Sequence, residues 1–337
     1  MKPRDALYVV TGAEGFLGGW VVKSLLAQGA AVRALVFPEP PVRLLALGCA
    51  IRRADVREPA DLTAAFKPTR KGQDVIVIHT AGNVSIAGRV HRGVYEANVI
   101  GTQNVIDASR ETGVRRLVYV SSVHAIPEAP DRTTMTEVAH FDPELVRGEY
   151  AKTKAEATRR VLAAEGLEVV VVHPSGLIGP DDPGRGHFTQ LIRDALSGRL
   201  PATVGGGYDF VDVRDVAAGC VAAAQRGRPG ACYLLTGEYV RISRLVGEAL
   251  RLGGRRWRLP RLPNWLARLV APALEAIAAA RGVPPSFTAY SLATLTANAR
   301  FSHALATIDL DFAPRDWRSS LADLVGWLAG SSKPMTR

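Results

Sequence analysis

The sequence predicts an α/β fold, a doubly wound parallel sheet with a smaller, mostly helical C-terminal lobe. Three observations predict it. Short apolar runs alternate with helical stretches through the first half, a glycine turn separates the first run from the first helix, and the alternation stops after Pro180.

Taken in order, Leu7–Val10 is the first strand and Phe16–Gln28 the first helix, closed by Gly29. Ala31–Phe37, Asp74–His79, Arg116–Val120 and Glu168–Val172 follow as strands, with another short apolar patch before Asp55. These runs are continuous rather than alternating, as expected of strands covered by helices on both faces. Between them Val94–Thr112 and Tyr150–Glu165 read as helices that stop at Gly113 and Gly166. Residues 181–207 are rich in Gly, Pro and Arg. Phe210–Val213 and Cys232–Leu235 are strand-like again, and Ile242–Leu295 is mostly helical. The expected organisation is therefore a dinucleotide-binding domain at 1–180, with 208–236 returning to its sheet, and a substrate lobe built from 181–207 and 237–330.

A chain of 337 residues can bury a large core without staples, and 47% hydrophobic with 22% charged residues excludes a mainly disordered chain. Cys49, Cys220 and Cys232 form no CxxC and no even framework, so neither a disulfide scaffold nor a metal site is expected, and a reducing cytoplasm fits best. No histidine pair has metal-ligand spacing. The terminus runs straight from Met1 into a strand, leaving no room for a signal peptide, and no run is long and apolar enough to span a bilayer. The net charge of +10 is compatible with an anionic partner or with an arginine-rich background. Nucleic acid is not expected, because no groove-reading or stacking module accompanies the charge. Arg251 to Arg268 holds six arginines and no acid, with Trp257 and Trp265 among them. It reads either as an interfacial helix making weak contact with an anionic membrane surface or as a lobe helix with its Arg face in water.

The strongest chemical signal is Thr11-Gly12-Ala13-Glu14-Gly15-Phe16-Leu17-Gly18, between strand and helix. Gly12 permits the tight turn, Gly15 lets backbone approach a pyrophosphate, and Gly18 lets helix pack on sheet, while Phe16 and Leu17 open a helix whose amino terminus favours negative charge. This context makes the sheet Rossmann-type and the expected cofactor NAD or NADP. An acid at the end of the second strand would favour NAD and an arginine NADP. That strand ends in Leu35, Val36 and Phe37, with Arg33 a cofactor-contact candidate and Glu39 and Arg43 nearby, so both nucleotides stay open. Asp55 is an adenine-contact candidate or a plain surface carboxylate.

Tyr150 and Lys154 lie four apart on one helix face. A nearby ammonium favours the phenolate and so makes a tyrosine useful near neutral pH. Alone, such a pair is more often a solvated helix face. Ser121 and Ser122, however, follow directly on a strand, at the carboxyl end where open α/β sheets bind ligands, and a serine hydroxyl there can donate to a developing oxyanion. His124, two residues on, can share that pocket. His187 is expected in a lid over the pocket as a substrate contact, and His173 reads as strand-end packing.

The glycine turn, Asp55-Val56, His79-Thr80-Ala81-Gly82, Asn98-Val99-Ile100-Gly101-Thr102, Ser121-Ser122, Tyr150xxxLys154 and Pro174-Ser175-Gly176-Leu177-Ile178-Gly179-Pro180 occur in one order. In that order and spacing, over residues 6 to about 240, the chain resembles the extended short-chain dehydrogenase/reductase superfamily, and within it the group of dihydroflavonol reductases, 3β-hydroxysteroid dehydrogenases and hopanoid-associated epimerase-like proteins. The resemblance implies Tyr150 as acid/base, with Lys154 lowering its pKa and binding the nicotinamide ribose. It implies Ser122 polarising the reacting C–O group and Asn98 holding a water that relays protons to Lys154. It also puts Asp55, Val56, Ala81 and Gly82 beside the cofactor, Pro174 and Ser175 near the nicotinamide, and a homodimer formed through helices. Read without it, Asn98 is a helix-start residue and Pro174 a strand terminator. Nucleotide-sugar members usually carry Arg where this chain has Tyr208, ahead of Asp209-Phe210-Val211, and an aromatic ring there suits a more apolar small-molecule substrate. The leading expectation is an NAD(P)-dependent oxidoreductase acting on a secondary alcohol or ketone. A nucleotide-sugar epimerase or dehydratase and a non-catalytic dinucleotide-binding protein are the alternatives.

Overall fold

The structure, a computed structural model, describes residues 6–37, 47–84, 92–130, 133–183, 186–257, 259–271 and 289–331. Strands β1 (Leu7–Thr11), β2 (Ala31–Val36), β3 (Ala50–Arg53), β4 (Val75–His79), β5 (Arg116–Val120), β6 (Glu168–Pro174) and β10 (Cys232–Leu235) form one sheet in the order β10-β6-β5-β4-β1-β2-β3. Every pairing in it is parallel. From β1 the chain builds outward to β2 and β3, then returns to β1's other side for β4, so the order reverses between β1 and β4. Ligands of such sheets bind in the crevice outside the strand ends at that reversal.

Helices α1 (Phe16–Ala27) and α7 (Val213–Arg226) cover one face, and α2 (Pro59–Phe66), α4 (Gly101–Glu111) and α5 (Glu149–Leu162) the other. Burial on both faces explains the unbroken apolar runs: β1, β4 and β5 are buried at every position.

The expectation for 208–236 needs one correction. β10 joins the main sheet, but β9 (Gly207–Asp212) lies in a separate three-stranded sheet, parallel to β7 (Gly176–Ile178) and antiparallel to β11 (Glu238–Arg241). The local pattern of β9 is strand-like in either sheet, and only tertiary pairing decides between them. The lobe core adds α6 (His187–Leu196), β8 (Thr203–Val204), α8 (Ile242–Leu252), β12 (Arg261–Leu262), a helix α9 at 264–271, α10 (Ala289–Thr296) and α12 (Trp317–Ser331). By contrast α11 (Ala304–Leu310) packs on α7 and β10, placing part of 237–330 against the dinucleotide-binding layer.

The helix expected over Val94–Thr112 is interrupted. Between α3 (Arg92–Tyr95) and α4 lies a π turn, Glu96–Ile100, with Asn98 inside it. Asn98 is thus not a helix-start residue. Single π turns often mark functional positions, because one extra residue re-aims a side chain without ending the helix. Among the described residues no helix is long and apolar enough to cross a membrane.

Candidate active site

The glycine turn sits at the β1 end of the reversal. Gly12 has φ +65°, and a Cβ there would stand 2.7 Å from the backbone of Ala81. Any side chain at Gly18 would overlap the Gly12 carbonyl oxygen. The turn therefore needs glycine at both positions, for handedness and for close approach. Gly15 is the N-cap of α1 and has no side chain to satisfy the first-turn amides of Phe16, Leu17 and Gly18. Those uncapped N–H groups at the positive end of a helix form a cradle suited to a pyrophosphate. The residues present fit a dinucleotide.

A buried polar chain ties this turn to Asn98. The Thr102 hydroxyl donates to the Asn98 carbonyl at 2.7 Å, so towards His79 it can only accept. His79 must then donate from Nε2, at 3.1 Å, and accept at Nδ1 from Thr11 Oγ1, at 2.7 Å. Thr11 Oγ1 in turn accepts from the Ala81 amide at 3.3 Å. The scheme needs a neutral ring, and burial delivers one by pushing the His79 pKa down to about 3.

Asn98 is buried, and its amide is anchored to one backbone residue. Oδ1 accepts from the Asn83 amide at 2.7 Å, while Nδ2 donates to the Asn83 carbonyl at 3.0 Å and to Thr153 Oγ1 at 3.1 Å. Between Asn98 and Lys154 lies Gly82: a Cβ on it would be 3.2 Å from Asn98 Oδ1 and 3.5 Å from Lys154 Nζ. Lys154 is buried on α5, and its ammonium donates to the Val120 carbonyl at 2.8 Å. Burial lowers its pKa to about 7.

The two serines diverge. Ser121 Oγ shares a hydrogen bond with Thr158 on α5, 2.7 Å away, whereas Ser122 Oγ accepts from the His124 amide at 3.2 Å. The Ser122 carbonyl accepts from His173 Nδ1 at 3.0 Å, and Phe141 lies flat on that imidazole with centroids 5.1 Å apart. His173 thus does more than fill a strand end: it pins the backbone of Ser122.

His124 meets Tyr150 edge-on at 6.0 Å and stacks on Tyr208 at 5.6 Å, and its Nε2 is 2.8 Å from the Tyr208 hydroxyl. Burial depresses the His124 pKa to about 4, leaving the ring neutral near pH 7. Phe188 extends the wall, stacked on Tyr208 at 5.8 Å and edge-on to Phe210 at 4.6 Å. Gly176 makes room for it, because a Cβ there would come within 3.0 Å of both Tyr208 and Phe188 rings.

Two candidates fall elsewhere. Arg33 turns its guanidinium away from the crevice to donate to the Ala65 and Lys67 carbonyls at 2.5 and 2.7 Å. It closes the C-terminal end of α2, where orphan carbonyls attract a cation. His187 opens α6 as an exposed residue, and its neighbour Phe188 is the one that reaches the aromatic wall. Phe188 and Phe141 were not singled out from the sequence; the spacing of Phe188 from Tyr208 carries no local signal, since α6 and β9 meet only in the folded chain. Glu39, Arg43, Arg185, Arg258 and positions 272–280 lie outside the described residues.

The remaining candidates are partly committed. Asp55 accepts from the Arg57 side chain and amide, which holds its carboxyl below the usual range. Val56 packs against Gly101, while Pro174 ends β6 in register with Leu235. Ser175 Oγ donates to Asp209 Oδ1 at 2.5 Å, and the Gly237 amide donates to the same oxygen at 2.8 Å. Burial raises the Asp209 pKa from 3.8 to about 6. A raised carboxyl pKa stabilises the fold while protonated, and that contribution is lost as pH rises from about 4 through 6. Asp209→Asn keeps both accepted hydrogen bonds without the charge. It should gain on the wild type across that window by up to about 3 kcal/mol, measured by urea unfolding at pH 4 and 7.5; parallel curves would remove this account.

No group of three or more His, Cys, Asp or Glu side chains among the described residues is placed to hold a metal. Comparison with known proteins agrees with the geometry. Residues 8–235 match the model of the NAD dependent epimerase/dehydratase family. The chain is 33% identical over 330 residues to sterol demethylase protein B of Methylococcus capsulatus, covering 95% of this chain and 97% of that one. It is 30% identical over 327 residues to a putative dihydroflavonol 4-reductase of Synechocystis, covering 95% and 94%. The crystal structure of gox2253 superposes with a TM-score of 0.83 at 30% identity, over 98% of this chain and 99% of that one. With its turn, parallel sheet and reversal point in place, the chain belongs to the NAD-dependent epimerase/dehydratase family of oxidoreductases, whose cofactor is NAD or NADP.

Proposed function

We propose that this enzyme interconverts a secondary alcohol and a ketone on a fairly apolar small molecule, with Tyr150 carrying the proton of the reacting oxygen. The observation that carries the reading is the wall of Tyr208, His124, Phe188 and Phe210 beside Tyr150. Tyr208 stands where nucleotide-sugar members place Arg, and its hydroxyl is engaged with a neutral imidazole, so the wall offers ring faces rather than a cation. The relatives named for a sterol and for dihydroflavonol support the same chemistry.

A nicotinamide nucleotide held at the glycine turn would supply or accept the hydride. Ser122 would orient the substrate: its Oγ accepts the His124 amide, which leaves its own proton available to the reacting oxygen. Tyr150 gives its proton to that oxygen in reduction and takes it back in oxidation. Lys154, whose pKa burial lowers to about 7, is suited to pass a proton back to Tyr150. Asn98 Oδ1 and Lys154 Nζ both approach Gly82, and these two groups would hold between them the water that replenishes Lys154. The nucleotide would be held by the glycine turn together with Ala81, Gly82, Pro174 and Ser175.

The test is nicotinamide absorbance on the purified chain, with NADH and NADPH offered separately against sterol-like, flavonoid-like and aliphatic ketones. Steady oxidation with an apolar ketone is the expected result. No net oxidation with any ketone, together with turnover of a nucleotide sugar, would overturn the reading.

A further inference from the structure

We propose that the outer face of the lobe around α9 is a docking surface for an anionic phospholipid bilayer. On α9, Ala267 and Ala271 are buried, while Trp265 and Leu269, one turn apart, are 69% and 70% exposed. A tryptophan and a leucine so exposed on one turn are costly in water unless something apolar covers them. Arg268 lies beside them on the same exposed face. Trp257 is also exposed, with the Arg255 guanidinium over its ring at 5.0 Å.

The charges identify the partner. Arg251 is neutralised by Glu248, 2.7 Å away, but Arg255, Arg256, Arg261 and Arg268 form no ion pair with a described acid. Residues 251–271 contain no acid at all. An exposed indole and leucyl side chain on a segment whose remaining guanidinium groups pair with no described acid match the boundary between acyl chains and anionic headgroups. A second copy of the chain fits poorly, because a two-fold interface would set these arginines against their own counterparts. The face also adjoins the substrate wall. Asn264 Oδ1 accepts from the Gly205 amide at 2.9 Å, Arg268 donates to Thr296 on α10, and α10 packs on β9, the strand that carries Tyr208.

The experiment is co-sedimentation of the full chain with vesicles of phosphatidylcholine alone and of phosphatidylcholine with 30% phosphatidylglycerol (about one lipid in three), at low and moderate salt. Binding is expected only to the anionic vesicles. The double variant Trp265→Ala with Leu269→Ala should weaken it by about tenfold or more, with unchanged NAD(P)H-dependent turnover of soluble substrate and unchanged circular dichroism. Arg255→Glu with Arg261→Glu should weaken it comparably and lower its salt dependence. Binding that ignores the Trp265 and Leu269 replacements would reduce the effect to the net charge and overturn the proposal. So would absence of binding to anionic vesicles, dimerisation abolished by the double variant, or equal retention on single-stranded DNA before and after it.

Discussion

Tyr150→Phe is expected to lower kcat by roughly 10²- to 10⁴-fold while leaving nucleotide affinity within a few fold. The change removes one hydroxyl and nothing else. The phenyl ring still meets His124 edge-on, α5 keeps its packing against β6, and Lys154 still donates to Val120. Because the lost interaction belongs to proton transfer, kcat and kcat/KM should fall together. Steady-state kinetics with the ketone found active, paired with fluorescence titration of NADH or NADPH, checks this. Turnover within tenfold of the wild type would remove Tyr150 from the proton's path.

Gly15→Asp should strongly weaken the binding on which everything else depends, and it should do so without unfolding the chain. Gly15 has φ −69° and ψ 170°, ordinary extended backbone, and a Cβ there meets only the Gly12 carbonyl oxygen, at 3.1 Å. Aspartate is moreover a favoured N-cap, so its carboxylate would take up the amides at the start of α1. The same carboxylate would fill the cradle with negative charge and repel a pyrophosphate. Nucleotide affinity is expected to fall on the order of a hundredfold, about 3 kcal/mol, with a thermal midpoint equal to or above that of the wild type. Calorimetric titration and a melting curve on one sample separate the two effects. Loss of both affinity and stability would mean that the turn had collapsed and that charge was not the cause.

What could be read before folding was whatever rests on local pattern. The continuous apolar runs gave the parallel sheet, because burial on both faces leaves no polar alternation. Gly12 and Gly18 were legible because their steric demands arise within a few residues or at the next strand end. Arg33 was misread because strand position fixes only the face a side chain leaves from. Its guanidinium follows the nearest orphan carbonyls, which belong to α2, more than 30 residues downstream. The placement of β9 and the approach of Phe188 to Tyr208 were similarly hidden, since both depend on which distant segments pack together. The π turn left no mark in composition: Glu96–Ile100 reads as any helix, and its extra residue becomes visible only when the backbone hydrogen bonds are followed.

That extra residue makes the length of the segment a functional quantity. Each residue of a helix turns the following side chains by about 100°. Deleting any one position between Arg92 and Ile100 would relax the turn into regular helix, and the gain in backbone regularity would be real. Yet Thr102 holds the Asn98 carbonyl and the His79 ring, and Asn98 holds Asn83 and Thr153, so the two ends could no longer both keep their partners. Substitutions along this stretch can be judged one at a time. An insertion or deletion cannot, because it retimes the whole segment against the sheet, and homologues that align here without gaps would be expected to share the site, whatever their substrate.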